Sequence, residues 1–185
     1  MRIKGFIGLL LICILYCVEL SAQTNYYTTT KTLYQSGYTY QCDVVQESKK
    51  VTLYNKVNSL TYTEQMYKAT GKLPPLLGNP PDVVDDNWTR QKCKQIVNSA
   101  FSATERQRVN GRDFGIFMYI SPETGKVIEV RFTFTSTGNP FATIPVSVYR
   151  KIETDLKNNI WFTPTADGKK LNYICRFWRQ EITTP

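Results

Sequence analysis

Two stretches in the middle of the sequence alternate apolar and polar residues with a period of two, and this pattern constrains the fold most. The residues on the apolar side are Phe114, Ile116, Met118 and Ile120 in the first stretch and Ile128, Val130, Phe132 and Phe134 in the second. A period of two indicates β-strands that bury one face. Pro122 and Gly125 lie between the stretches and favour a tight turn. The sequence therefore predicts an antiparallel hairpin.

The segments that flank this hairpin have apolar residues at three- and four-residue spacing, which is typical of amphipathic helices. The stripes are Cys93, Ile96, Val97, Ala100 and Phe101 in the first segment and Val148, Tyr149, Ile152 and Leu156 in the second. They predict helices over residues 87–101 and 144–157. Ser102 and Glu105 have the spacing of a capping box and predict a further helical turn between the first helix and the hairpin.

Two more strands are predicted after the second helix, a short one over residues 160–163 and a last one over residues 171–181. In the last strand the alternation predicts an inner face made of Leu171, Tyr173, Cys175 and Phe177. Helices before and after paired strands can cover one side of a sheet. We therefore predict an α+β fold over residues 87–185, a two-layer sandwich of an antiparallel sheet with helices on one face.

The N-terminal part of the chain is predicted to be a β-rich extension over residues 23–70. Strands are expected at 38–46 and 51–57, after a mobile lead-in at 24–37 and before a short helix or irregular cover at 60–70. Four prolines at 74, 75, 80 and 81 predict a linker over residues 71–86. Phe117 and Tyr119 fall on the second face of the sheet. Either the N-terminal strands cover that face or it binds a ligand, and we favour coverage.

The first 22 residues have the pattern of a secretory signal peptide. Arg2 and Lys4 precede an apolar run over residues 5–18, and small residues precede Gln23. The run is short for a membrane span, although an uncleaved anchor is the alternative. We therefore expect an exported protein, periplasmic or associated with the outer envelope, with no stable membrane span after cleavage.

Short motifs in residues 87–182 resemble the C-terminal domain of TonB, the energy transducer of the Gram-negative envelope. They are Gly125-Lys126-Val127 at the turn into a strand, Ser136-Thr137-Gly138 after it, Trp161-Phe162-Thr163-Pro164 after the second helix, and the turn at Gly168. Compared with TonB, the N-terminal apolar run is shorter than a membrane anchor, and the predicted linker has only four prolines in place of a long proline-rich spacer. The resemblance thus implies a TonB-like module in an exported protein, similar to exported proteins of the Bacteroidetes, with a sheet edge that accepts a partner strand.

The absence of histidine from all 185 residues excludes Ser-His-Asp and Cys-His catalysis and every metal site that uses imidazole. We expect no enzymatic activity and no cofactor. Asp82, Asp85 and Asp86 could bind a hard cation or act as an acid/base pair, but helix capping explains them more simply. Beyond the leader, Cys42, Cys93 and Cys175 could form one disulfide or be three buried thiols.

These observations favour a non-catalytic protein that binds another envelope protein through the edge of its last strand. The candidate binding residues are Tyr173, Arg176, Trp178 and Arg179. One alternative is a soluble module that binds an anionic or apolar ligand, and another is a hydrolase based on carboxylates. The net charge of +8 is compatible with anionic partners, but the predicted export argues against nucleic acid. The oligomeric state stays open.

Overall fold

A computed structural model of the protein describes residues 24–75, 81–84 and 87–183. The predicted signal peptide lies outside this range, as do Asp85 and Asp86. The strands are β1 (Lys31–Gln35), β2 (Tyr38–Val45), β3 (Lys50–Asn55), β4 (Asp113–Ile120), β5 (Val127–Thr135) and β6 (Ile174–Glu181). The helices are α1 (Asn87–Ala100), α2 (Ala103–Val109) and α3 (Val146–Asn159). No helix in the described part of the chain is long and apolar enough to cross a membrane.

The six strands form one open antiparallel sheet in the order β1-β2-β3-β5-β4-β6, with three helices packed against it. This confirms the predicted fold class and the hairpin of β4 and β5. Its turn also matches the prediction, because Gly125 has a positive φ of 72° and its N–H donates to the Ser121 carbonyl at 2.8 Å. The last strand of the chain lies at one edge of the sheet and β1 lies at the other.

The main core lies between the helices and one face of the sheet. Phe114, Ile116 and Met118 of β4 are buried there, as predicted. Tyr149 of α3 packs against this layer, with its ring centroid 5.1 Å from that of Phe132. The α1 stripe is also buried through Cys93, Ile96 and Val97. Ser102 and Glu105 form the predicted capping box at the start of α2.

Helix α3 begins two residues later than predicted, because a 3₁₀ turn over Pro140–Thr143 precedes it and Pro145 is its N-cap. Ile128 does not share the buried face with Val130, as it is 38% exposed. The register of β4 and β5 shifts at Tyr119 and Ile120, which changes the phase of the alternation at this point. The predicted strand at 160–163 is reduced to one isolated bridge, between Trp161 and Lys126.

The N-terminal lead-in is structured, contrary to the prediction. Residues 31–35 form strand β1, and Tyr27 is fully buried, with its hydroxyl donating to the Ile144 carbonyl at 2.9 Å. The two predicted strands exist as β2 and β3, and β3 pairs with β5, so they extend the sheet sideways. They do not cover its second face.

That second face is crossed instead by residues 58–67, which form no helix. Arg131 donates to the Thr61 carbonyl at 2.7 Å, and the Tyr119 hydroxyl donates to the same carbonyl at 3.2 Å. The backbone N–H groups of Ser59 and Leu60 donate to the Glu129 carboxylate at 2.8 and 2.9 Å. Polar groups of the sheet therefore hold residues 58–67 in place. The hydrophobic pattern of this segment did not predict these hydrogen bonds.

The predicted inner face of the last strand is wrong for Tyr173, Cys175 and Phe177, whereas Leu171, which precedes the strand, is buried in the core. Register with β4 places Trp178 opposite Ile116 and Phe177 opposite Phe117. Ile174, Arg176, Trp178 and Gln180 therefore face the helices, whereas Tyr173, Cys175 and Phe177 face the other way. The regular strand begins at Ile174, after a 3₁₀ turn over Gly168–Lys170, so a count that starts at Leu171 assigns the wrong side.

Candidate binding groove

A groove with a volume of about 320 Å³ lies beside β6 and α1. Its lining comes from α1 (Thr89, Arg90, Cys93, Lys94), from β4 and the chain after α3 (Met118, Phe162), and from β6 (Arg176, Phe177, Trp178, Arg179). The four β6 residues belong to both faces of the strand. The groove therefore follows the open edge of the sheet and is not confined to one face.

Four of the lining residues are cationic and none is acidic. Arg90 and Lys94 are four positions apart on α1, a spacing that places them on the same side of the helix. Among the described residues, only Arg179 of the four forms an ion pair, with its Nε 2.9 Å from Oδ2 of Asp113. The groove therefore has an excess of positive charge that its own lining does not neutralise.

Asp82 is a carboxylate close enough to act on the groove electrostatically. Burial raises the pKa of Asp82, while a hydrogen bond from Gln65 and the positive charge of Arg176 oppose that shift. Arg176 and Asp82 thus interact without forming an ion pair. Neutralising Asp82 would make this end of the groove more positive.

Apart from Thr89, the remaining lining is apolar, and parts of it are held in place by the fold. Met118 and Phe162 are buried, and Phe162 donates its backbone N–H to the Gly125 carbonyl at 2.8 Å. A Cβ at Gly125 would overlap the Phe162 carbonyl, so only glycine allows this close approach. Trp178 is half-buried, and its Nε1 donates to Gln180 at 3.2 Å. The groove therefore combines a largely apolar surface with four cationic side chains.

Main-chain groups of β6 also face the open edge. Ile182 donates its N–H to the Arg112 carbonyl at 3.0 Å and accepts from the Gly111 N–H at 2.9 Å, so both of its main-chain groups point inward. Alternate residues of a strand point their N–H and C=O to opposite sides. We therefore expect the groups of residues 175, 177 and 179 to face outward. No segment of the described chain pairs with this side of β6.

The structure brings three of the four predicted site residues together. Arg176, Trp178 and Arg179 line the groove, but Tyr173 does not. Tyr173 lies on the other face, with its ring centroid 5.3 Å from that of Tyr119 and its hydroxyl donating to the Thr63 carbonyl. Burial raises its pKa to about 12, which is consistent with a tyrosine that holds the crossing segment in place.

The chain is matched over residues 23–178 by a family model described as Domain of unknown function (DUF5043). The chain belongs to the DUF5043 family. It is similar to the crystal structure of a DUF5043 family protein from Bacteroides uniformis, with 41% sequence identity and a TM-score of 0.84. The match covers 88% of this chain and 90% of that chain. Among curated proteins, none matches the chain.

In this DUF5043 chain, sequence reasoning did not assign Arg90, Lys94 and Phe177 to the site. The spacing of Arg90 and Lys94 was a usable signal, because two cations at i and i+4 form one helix surface. Nothing in the sequence showed that this surface lies beside β6. Phe177 was missed because it was predicted to face the core, whereas it is 53% exposed.

The groups with catalytic potential are not concentrated in the groove. Among the residues that the structure describes, no cluster of carboxylates and cysteines could hold a metal ion. Within the same range, Cys42, Cys93 and Cys175 form no disulfide. Burial raises the pKa of Cys42 to about 12 and also raises that of Cys175, so both thiols are weak nucleophiles at neutral pH.

Proposed function

We propose that the protein is a non-catalytic, exported interaction protein that accepts an extended segment of a partner at the open edge of β6. The observation that carries this proposal is the groove itself, which runs along an unpaired strand edge and is lined by four cations. An edge strand offers main-chain hydrogen bonds, and pockets beside it select the side chains of the added strand. The occupant is therefore an extended protein segment with acidic side chains.

Charged residues on an edge strand can also serve to prevent aggregation. Arg176 and Arg179 would fit that simpler role, but the neighbouring surface argues for binding. A protective edge needs neither the cations that α1 adds nor the half-exposed aromatic surface at Phe177 and Trp178. The resemblance of residues 87–182 to the TonB C-terminal domain supports strand addition by analogy. The predicted signal peptide supports a location in the periplasm or at the outer envelope.

A direct test starts from peptides selected for binding to the protein from a random display library. Each selected peptide is then synthesised with N-methyl groups at either its odd or its even positions. An added strand directs alternate N–H groups to the edge, so one methylated series should lose binding at least about tenfold and the other should keep it. The proposal would be overturned if both methylated series bound equally. It would also be overturned if the library gave no more binding peptides with the wild-type protein than with an Arg176→Glu variant.

Matched charge variants on α1 complete this test. Lys94 lines the groove, whereas Lys92 is exposed on the same helix and does not. Lys94→Glu should weaken peptide binding by about two- to fivefold at physiological salt, and more at low salt. Lys92→Glu should leave the affinity unchanged. Equal losses in the two variants would mean that only the overall charge of the protein matters.

A second candidate is the binding of a small anionic molecule in the same groove. The volume of about 320 Å³ lies at the lower end of the range for small-molecule sites, and four cations surround it. Calorimetric titration with pyrophosphate and with citrate tests this candidate. Two results together would favour this candidate over strand addition. The protein would bind one of these anions and lose that binding in Arg176→Glu, and the two N-methylated peptide series would bind equally.

A further inference from the structure

One row of side chains crosses the sheet on the face opposite the helices and ends at the open edge. The register of the strands puts these residues opposite one another in turn: Gln41, Tyr54, Arg131, Phe117 and Phe177. Directly opposite residues on neighbouring strands have side chains in contact distance. A strand added to β6 would therefore supply the next member of this row, beside Phe177.

The last three members of the row form a stack. The Arg131 guanidinium carbon lies 4.0 Å from the centroid of the Phe117 ring, and the Phe117 and Phe177 centroids are 4.5 Å apart. Arg131 is itself fixed by its hydrogen bond to the Thr61 carbonyl. The stack is thus anchored at its inner end, while Phe177 remains 53% exposed at the outer end.

Gly115 sets the position of the Phe177 ring. A Cβ on Gly115 would lie 2.9 Å from the ring, so the ring occupies the space that a side chain would fill. The ring therefore lies against β4. Its exposed surface is therefore available to a neighbouring strand, and an aromatic or other large apolar side chain is the best match for it.

The two faces of the edge differ in unpaired charge, and this difference specifies the occupant. Arg179 shares the face of Phe177, but its charge is paired with that of Asp113. Successive side chains of an added strand point to opposite faces. A side chain beside Phe177 meets an apolar ring, whereas its two neighbours point to the side of Arg176 and Trp178, where Arg90 and Lys94 also line the groove. We infer that the partner segment carries a large apolar residue between two acidic residues. This inference rests on the proposed function and defines its ligand.

The test compares two blocked peptides of identical composition by titration calorimetry. Both have β-branched flanking residues, and one contains Glu-Phe-Glu where its isomer contains Phe-Glu-Glu. The alternating peptide should bind about two- to tenfold more tightly, since only it places Phe beside Phe177 with both acids in the groove. Phe177→Ala should remove this preference. Tyr34→Ala, at a residue 75% exposed on the opposite edge strand, should preserve it.

The outcomes separate the inference from the proposed function. If both isomers bind equally and both show the alternating effect of N-methylation, strand addition stands and the inferred pattern is wrong. If Phe177→Ala leaves the preference intact, the aromatic row does not select the ligand and the inference is also wrong. If neither isomer binds and the display library yields no strand-adding peptide, the proposed function fails together with the inference.

Discussion

Gly125 shows how a single residue connects the fold to the groove. Its φ of 72° is in the left-handed region, where a side chain is strained, and the Phe162 backbone crosses it without leaving room for a Cβ. Phe162 lines the groove from this position. The Pro-to-Gly turn was predicted from the sequence, but the close approach of residue 162 is a long-range contact that no local pattern records.

The two constraints on Gly125 can be separated with a matched glycine. Gly138 also has a positive φ, of 66°, but nothing lies within 4 Å of the Cβ position. Gly138→Ala should lower the free energy of unfolding by about 1–2 kcal/mol, the cost of the left-handed backbone alone. Gly125→Ala should cost about 2–5 kcal/mol, because the new Cβ also forces the Phe162 backbone away. Urea denaturation measures both, and equal losses would mean that the contact contributes nothing.

At the scale of elements, a buried carboxylate joins helix α3 to the N-terminal strands. Glu153 is fully buried on α3 and accepts a hydrogen bond from the Tyr40 hydroxyl of β2. Asn55 of β3 donates to it at 3.3 Å, and Arg150 pairs with it at 3.0 Å. A buried charge needs such partners, because each one replaces water that the carboxylate has lost. The N-terminal strands are therefore bonded to the helix layer as well as to the sheet.

Removing the Tyr40 hydroxyl tests this connection. Burial, followed by the negative charge of Glu153, raises the pKa of Tyr40 far above its usual value of 10.0, so the hydroxyl remains a donor at ordinary pH. Tyr40→Phe should lower the free energy of unfolding by about 1.5–3 kcal/mol, the range for a hydrogen bond to a charged group. Tyr34→Phe, at an exposed position in β1, is the control and should change nothing measurable. A loss below about 0.5 kcal/mol for Tyr40→Phe would contradict the structural role given to this bond.

Elements with strong periodicity were predicted well, whereas those defined by tertiary partners were not. The Cys93-to-Val97 stripe and the Phe114-to-Ile120 alternation gave α1 and β4 correctly, because each spacing marks a face that packs in the main core. Tyr119, on the other face of β4, is buried as well, and the sequence did not predict this. In β6 both faces carry apolar residues, such as Trp178 on one and Phe177 on the other, so alternation alone could not decide which face meets the helices. Strand β1 was missed because its residues are only half-buried or exposed.

The same reasoning applies to the groove. Arg176, Trp178 and Arg179 could be proposed from the sequence because they lie in one strand at the end of the chain. The contribution of α1 could not, since residues 90 and 176 are brought together only by the fold. The buried Glu153 was unpredictable for a related reason, as its partners Tyr40 and Asn55 are about a hundred residues away in the chain.

At the scale of the whole molecule, the sheet continues across the predicted domain boundary. Strands β1 to β3 precede residues 71–86, strands β4 to β6 follow them, and β3 pairs with β5 to join the two sets. The buried residues of both sets belong to one hydrophobic cluster. This arrangement favours one cooperative unit over an extension attached to an independent domain.

A core substitution in β3 distinguishes one cooperative unit from two. Leu53 is fully buried, and all three tryptophans, Trp88, Trp161 and Trp178, lie in the later part of the chain. Leu53→Ala should lower the free energy of unfolding by about 2–5 kcal/mol, and the urea midpoint of tryptophan fluorescence should fall together with that of far-UV circular dichroism. Val57→Ala, at a position 81% exposed, should leave both midpoints in place. If Leu53→Ala leaves the fluorescence midpoint unchanged while the dichroism signal splits into two transitions, residues 87–185 unfold independently. The edge strand β6 would then belong to a domain that can be tested for partner binding without its N-terminal strands.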